Sequence, residues 1–231
     1  MSPADFPSTK DSQEPRGDAT REALIRAGLE LFSKLGFHAA SSRALAEAAG
    51  VNQALIGYHF GGKKGLYLAV FEHIGEAVGS RLGPAGEHVR RTLATAGDRP
   101  DRELLLQALL QLLDRAVDLF TSPQTEAWAM LIVREQQNPG EAFDLVWRRF
   151  MSPMVSTLTR LVAVLQGSSE DDPQVRLTTM TLIAQPLVFR VARETAVRLL
   201  GWEAIGPAEI AAIKKRIHHN VRAMTVGDTH P

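Results

Sequence analysis

Between Ser41 and Leu66 the chain reads SSRALAEAAGVNQALIGYHFGGKKGL. No other stretch collects so many side chains suited to one task. The hydroxyls of Ser41 and Ser42, the amides of Asn52 and Gln53, the phenol of Tyr58 and the imidazole of His59 are all hydrogen-bonding groups. Such groups meet phosphate oxygens and base edges on a duplex. Arg43, Lys63 and Lys64 stand against a single acid, Glu47, between positions 41 and 64. Lys63 opens the next helix and so adds its charge beside a helix N-terminus, a natural phosphate site. The surplus is modest. One such module binds weakly, and useful affinity requires a dimer that sets two copies about one DNA turn apart.

Positioning these groups takes two short helices around a sharp turn. Ser41 or Ser42 is placed to cap the first, whose packing face is Leu45, Ala46 and Ala49. Gly50 makes the turn, Val51 points inward and Asn52 is placed to cap the second helix. That second helix, about Gln53–His59, buries Ile56 and Phe60 and leaves Asn52, Gln53, Leu55, Tyr58 and His59 on or near the open side. This is the pattern of a helix-turn-helix. A helical hairpin in an ordinary α-domain is the competing reading. Upstream, Ala23, Leu24, Ala27, Leu31 and Phe32 repeat at helical spacing through Thr20–Leu35, and Gly36 ends that run as a C-cap does.

The run AGVNQALIGYHFGGKKGLY resembles the signature of the TetR family of bacterial transcriptional repressors, and the resemblance extends over Thr20–Phe71. It implies that Ser41, Ser42, Tyr58 and Lys63 occupy phosphate-contacting positions, and that Gln53, Ala54, Leu55 and His59 flank those that read bases. It also implies a C-terminal half that is helical, binds an effector and dimerises. Gly57 departs from the pattern, since an aromatic often stands there; glycine costs about 1 kcal/mol of helix stability relative to alanine. Either the backbone approaches DNA more closely at that point, or Tyr58 carries the aromatic role alone. The IGYHF, VREQQNP and FRVARE segments are similar to a subgroup linked to efflux and drug-tolerance control.

The rest of the chain fits this expectation. Of 231 residues, 45% are apolar, enough for a substantial core, while Lys+Arg and Asp+Glu both number 26. Global charge therefore lends nucleic-acid binding no support, and any such contact must rest on a local patch. The absence of cysteine excludes thiolate metal sites, disulfides and thiol catalysis. No cofactor is expected, because phosphate loops and metal-ligand spacings are missing, and the adjacent His218 and His219 point in different directions on a helix. No nucleophile–base arrangement suggests an enzyme. The N-terminus lacks a signal-peptide core, and the longest apolar stretch, near Leu177–Ala192, is too interrupted to span a bilayer, so a cytoplasmic location without membrane contact is expected.

Periodicity makes the chain all-α, with a disordered tail (1–18), an N-terminal three-helix part with its helix-turn-helix (19–65) and a larger helical part (66–231); the resemblance implies that the second is the DNA-binding domain and the third the ligand-binding and dimerisation domain. Leu66, Val70, Ile74, Val78 and Leu82 define one long helix from Lys63, and 83–100 is ambiguous. Ser122-Pro123, Asn138-Pro139, Asp172-Pro173 and Gly206-Pro207 each set a capping residue before a proline. The inferred helices are Asp101–Phe120, Pro123–Gln137, Pro139–Gln166, Pro173–Leu200 and Pro207–Met224. Pro123–Val133 is apolar nearly all round and should be central. A small-molecule cavity is expected among Trp128, Ile132, Glu135, Trp147, Phe150, Met151, Met154, Gln185, Phe189 and Arg193; ordinary core packing explains the same residue types. Pro186 should kink its helix, either to open ligand space or only to shape it.

The stripe Ile210, Ile213, Ile217, Val221 and Met224 on the last helix fits contact with another helix. With the preceding helix it builds a homodimer interface across a two-fold axis, or else it packs within one subunit. The partners expected are thus a palindromic double-stranded DNA operator, a second copy through the last two helices, and a small-molecule effector whose binding releases the repressor. A helical protein-binding adaptor without DNA activity is the alternative.

Overall fold

The computed structural model describes residues 14–95, 97 and 100–225, and every regular element among them is helical. In order these are α1 (Glu14–Ala39), α2 (Ser42–Ala49), α3 (Ala54–Phe60), α4 (Lys63–Thr95), α5 (Arg102–Thr121), α6 (Glu126–Gln137), α7 (Glu141–Val146), α8 (Ser152–Gln166), α9 (Pro173–Val191), α10 (Arg193–Leu200) and α11 (Pro207–Thr225). A 3-10 turn at Pro123–Thr125 precedes α6, and a π turn at Trp147–Met151 joins α7 to α8. The chain divides into two compact units, the first ending at His73 and the second starting at Ile74. Among the described residues no helix is long and apolar enough to cross a membrane.

The first unit holds α1–α3 and the opening turns of α4. Its boundary falls beyond the expected residue 65 because Leu66, Tyr67, Val70 and Phe71 are buried among the other helices of this unit. Tyr67 is the hub: its ring meets Phe32, Phe37 and Phe71 at centroid separations of 4.9, 4.9 and 5.0 Å. Residues 14–18, expected within the tail, belong to α1, which begins at Glu14. Residues 1–13 lie outside the described part. Gly36 interrupts α1 as expected (φ 81°, ψ 171°), although Ala40 N still donates to its carbonyl at 3.3 Å.

In the second unit the central helix is α5, not the Pro123–Val133 segment. Leu105, Leu109, Leu112 and Leu113 are buried, and α5 is flanked by α8, α9 and α11. Asp101 caps α5 by accepting from Glu103 N and Leu104 N, which stabilises a helix by about 1 kcal/mol. By contrast α6 rests on α7 and α9 with only Trp128 and Leu131 buried, and its Met130 is exposed. Hydrophobicity all round did not mean centrality here.

Proline behaviour also differs from expectation. Asp172 caps α9 through Gln174 N at 2.8 Å, as its sequence motif suggests. Asn138-Pro139 starts nothing, for α7 begins at Glu141 after an extended Gly140. The α9 helix runs through the buried Pro186, and the interruption falls at Ala192 (φ −112°, ψ 34°). The π turn ends just before Pro153, which has no N–H to give and crowds the carbonyl four residues back, so the preceding turn widens. Likewise α4 continues to Thr95 through Pro84, resolving the ambiguous region as helix.

The α11 stripe is internal. Ile213, Ile217 and Val221 are buried in the same core as α5, with Ile210 and Met224 packed against it. What remains uncovered is a face of α9: Leu177, Met180, Ala184, Val188 and Val191 follow one another at spacings of three and four, all exposed.

Candidate nucleic-acid interface

The turn forms for reasons local to its residues. Ser41 lies in extended backbone and its Oγ accepts from Ala44 N at 3.1 Å, so Ser41 rather than Ser42 caps α2. Leu45 and Ala46 are buried beneath it. At the other end Gly50 takes a left-handed conformation (φ 68°) that a side chain would strain, and its N–H with that of Val51 closes onto the last carbonyls of α2. Asn52 Oδ1 then accepts from Ala54 N at 2.8 Å and starts α3.

That geometry sorts the residues of α3 by face. Ile56 is buried and Phe60 half-buried, while Asn52, Gln53, Ala54 and Tyr58 are exposed. Tyr58 is 82% exposed, extreme for an aromatic, and its ring meets His59 edge-on at 5.0 Å. Leu55, His59 and Ser42 are half-buried at the margin, and Arg43 is exposed on α2. Nothing lies within 4 Å of the position a Cβ would take on Gly57, so the departure at that residue leaves open space rather than filling a tight one. One cation escaped the sequence reading: the Arg21 guanidinium of α1 stands 5.6 Å from the Phe60 ring centroid, at the end of α3. Only its basic type hinted at this, because the fold alone brings α1 beside α3.

Lys63 has partners within the protein. Its ammonium donates to the carbonyls of Phe37 and Ala40 at 2.9 and 3.1 Å and lies 4.5 Å from the Phe37 ring centroid. It is half-buried and satisfies orphan carbonyls at the end of α1, so two of its three donors are already engaged. These contacts tie the start of α4 to the end of α1. Lys63→Met should cost about 1–2 kcal/mol in denaturant unfolding while leaving the salt slope of DNA binding unchanged. A slope reduced by about one with stability intact would return Lys63 to the phosphate contacts.

Residues 24–70 match the family model described as bacterial regulatory proteins, tetR family. Residues 102–227 match the C-terminal domain of the HTH-type transcriptional dual regulator CecR. The chain belongs to the TetR family. It is 33% identical to CecR of Shigella flexneri over 202 residues, covering 87% of this chain and 89% of that protein. Among solved structures, a TetR-family transcriptional regulator from Streptomyces coelicolor superposes with a TM-score of 0.59 at 16% identity, covering 90% of this chain and 95% of that one. AibR, crystallised with isovaleryl coenzyme A and operator DNA, gives 0.60 at 14% identity over 87% and 97% of the two chains. The second-unit helices are thus the C-terminal half of a TetR-family fold, and the chain is a DNA-binding, helix-turn-helix transcriptional regulator.

In this TetR-family protein the ten residues expected around a ligand do not share one setting. Trp147 is exposed and stacks on Phe143, and Phe150 fills a notch at Gly75, where a Cβ would sit 2.1 Å from the ring. Met154 lies against Gly86. Gln185 accepts from Asn220 and faces the Met224 sulfur on α11, and Phe189 packs against the core. Trp128 lies under the Arg81 guanidinium, 5.0 Å away, and Ile132, Glu135 and Met151 are half-buried. A surface cleft of about 480 Å³ is lined by none of the ten; its walls are residues such as Pro84, His88, Asp114, Asp118 and Lys214. His218 Nε2 and Asp114 Oδ1, 2.8 Å apart, pair at its rim. Arg193 stands apart from the rest, with its Nη1 buried and unpartnered.

Proposed function

We propose that this regulator binds a palindromic operator as a homodimer, represses by occupying it, and leaves when a small-molecule effector binds the second unit. The observation that carries the reading is the contrast within α3: Ile56 sealed beneath, Tyr58 almost wholly in solvent. Burial of Ile56 fixes the helix, and no stability argument explains a tyrosine so exposed. In this reading Ser41, Ser42, Arg43 and Tyr58 donate to phosphates, and Gln53, Ala54, Leu55 and His59 meet base edges. Asn52 both caps α3 and offers its amide N–H groups to the backbone. Arg21 joins the phosphate set, and Lys63 holds the turn.

The exposed apolar face of α9 supports the two-fold half of the proposal. A stripe of Leu177, Met180, Val188 and Val191 in water is an uncovered apolar face, and a second copy laid across a two-fold axis covers both stripes at once. Release then follows from differential affinity: an effector that prefers the dimer geometry mismatched to the half-sites lowers DNA affinity by the ratio of its two binding constants. That AibR was crystallised with both operator DNA and a thioester ligand is compatible with such a scheme for this fold. In this reading the protein works in the cytoplasm, beside the DNA it binds.

Fluorescence anisotropy on palindromic fragments from the protein's own upstream region tests the reading. Specific, salt-dependent binding is expected. Tyr58→Phe should weaken every sequence alike by about 1 kcal/mol, whereas Gln53→Ala should cost about 1–3 kcal/mol on the preferred site and flatten preference at one position. If Tyr58→Phe and Gln53→Ala leave both affinity and preference unmoved, α3 is not the reader.

A further inference from the structure

Among the described residues of the second unit, two arginines carry a buried donor atom without a hydrogen-bond partner: Arg190 is buried and Arg193 is half-buried. Arg190, near the end of α9, is only 8% exposed; its Nη2 donates to the Ser122 carbonyl and to Thr125 Oγ1, the latter at 3.0 Å. Thr125 in turn donates its hydroxyl hydrogen to a backbone carbonyl of the α5 end, so the Arg190 anchor is a built one. Yet Arg190 Nε is buried and has no partner, and neither has Arg193 Nη1. An orphaned donor on a charged group costs more than about 1–3 kcal/mol when buried, so a folded chain rarely leaves two close together without a use.

The electrostatics agree with the geometry. Burial pushes the Arg190 pKa below its ordinary value, the charge of Arg193 pushes it the same way, and only Glu126 opposes them. The segment that carries Ser122 and Thr125 carries a third cation contact, for Arg81 donates to Gln124 at 2.9 Å and covers the Trp128 ring. Ala192, where the helical backbone breaks, lies between the two arginines and gives them different helices, α9 and α10.

We propose that Arg190 and Arg193 form the anion-recognising subsite for the effector, taking a carboxylate or phosphate group through the free Nε–H and Nη1–H donors. A planar guanidinium fork matches either oxyanion, and a positive pair with buried donors gains most from a ligand that brings compensating charge. The inference deepens the effector-released reading by naming the ligand's chemical class, and it rests on that reading for its regulatory meaning. Anion binding itself is measured without DNA.

The test uses the full chain, with inorganic phosphate and hexanoate titrated separately against chloride at constant ionic strength. Tryptophan fluorescence and the unfolding midpoint report binding. A saturable response to at least one oxyanion is expected at or below about 1 mM, weakened about tenfold or more in Arg193→Gln and partly restored in Arg193→Lys. Because Arg190 ties down the Ser122–Thr125 turn, its replacement risks the fold, so Arg193 carries the experiment. A response to phosphate alone identifies a phosphorylated effector, to hexanoate alone a carboxylic acid, and to both an unselective oxyanion subsite; each supports the proposal. Responses no greater than chloride's up to about 10 mM, or an Arg193→Gln variant that binds as the parent does, overturn it and leave ordered water as the occupant of both donors. Anisotropy on operator DNA without added anion is read in parallel. Failure there sinks the transcriptional reading, whereas intact DNA binding with no anion response sinks this subsite alone.

Discussion

Gly65→Ala is expected to unfold the first unit at temperatures where the second remains folded. A Cβ on Gly65 would lie 1.8 Å from the Phe60 carbonyl oxygen and 2.9 Å from its carbon. Both obstacles are main chain, so no rotamer change relieves them. The residues between, Gly61 (φ 70°) and Gly62 (φ 130°), already hold a tight left-handed reversal from α3 into α4 and have little room to shift. A cost of about 3–5 kcal/mol is anticipated, comparable to the stability of a unit this small. Circular dichroism should show an added early melting step, and operator binding should vanish with it. Gly57→Ala is the matched control, since open space surrounds that position and alanine favours helix by about 1 kcal/mol. A Gly65→Ala protein that melts as the parent and binds DNA would refute the turn geometry.

The second large effect is expected from charging the uncovered face of α9. Met180 is 61% and Val188 48% exposed, so glutamate at both disturbs the subunit's own core little, within about 0.5 kcal/mol per site. Across a two-fold interface each carboxylate would meet its own symmetry mate in an apolar setting. The double variant Met180→Glu/Val188→Glu should sediment as a monomer. Its operator affinity should fall about a thousandfold, toward the level of non-specific binding, because a single reader engages only one half-site. Retention of a dimer in this variant would move the interface elsewhere.

How far the sequence alone carried these conclusions depends on what each residue's role required. Gly50, Asn52 and Asp172 were legible, and Ser41 as one of two candidates, because a cap or a turn is decided within four residues, and each behaves as its type suggests. Ile56 and Tyr58 were legible because a seven-residue helix has only two faces. The intramolecular contacts of Lys63 were not legible, since its partners, the carbonyls of Phe37 and Ala40, are more than twenty residues away. The stripe of Ile213, Ile217 and Val221 announced burial but not against what; α5 of the same subunit supplies the answer. The break at Ala192 was not legible, since no residue type there announces it, while α9 runs on through Pro186. Which of the ten candidate ligand residues share a wall was illegible for the same reason as the stripe's partner. Tryptophans and methionines at helical spacing say that a wall exists, whereas only tertiary placement says whether it faces a cavity.

The widened turn at Trp147–Met151 also bears on how chain length can vary in this protein. Val146 and Leu158 are both buried, 12 positions apart, which in regular helix would leave them about 120° apart around the axis. One surplus residue taken up in the wide turn brings that angle to about 20°, and α7 and α8 share an inner side. The turn thus acts as a register adapter. A chain shortened by one residue here would wind as ordinary α-helix with both halves still facing inward, whereas the same deletion inside α5 would rotate every leucine beyond it out of the core.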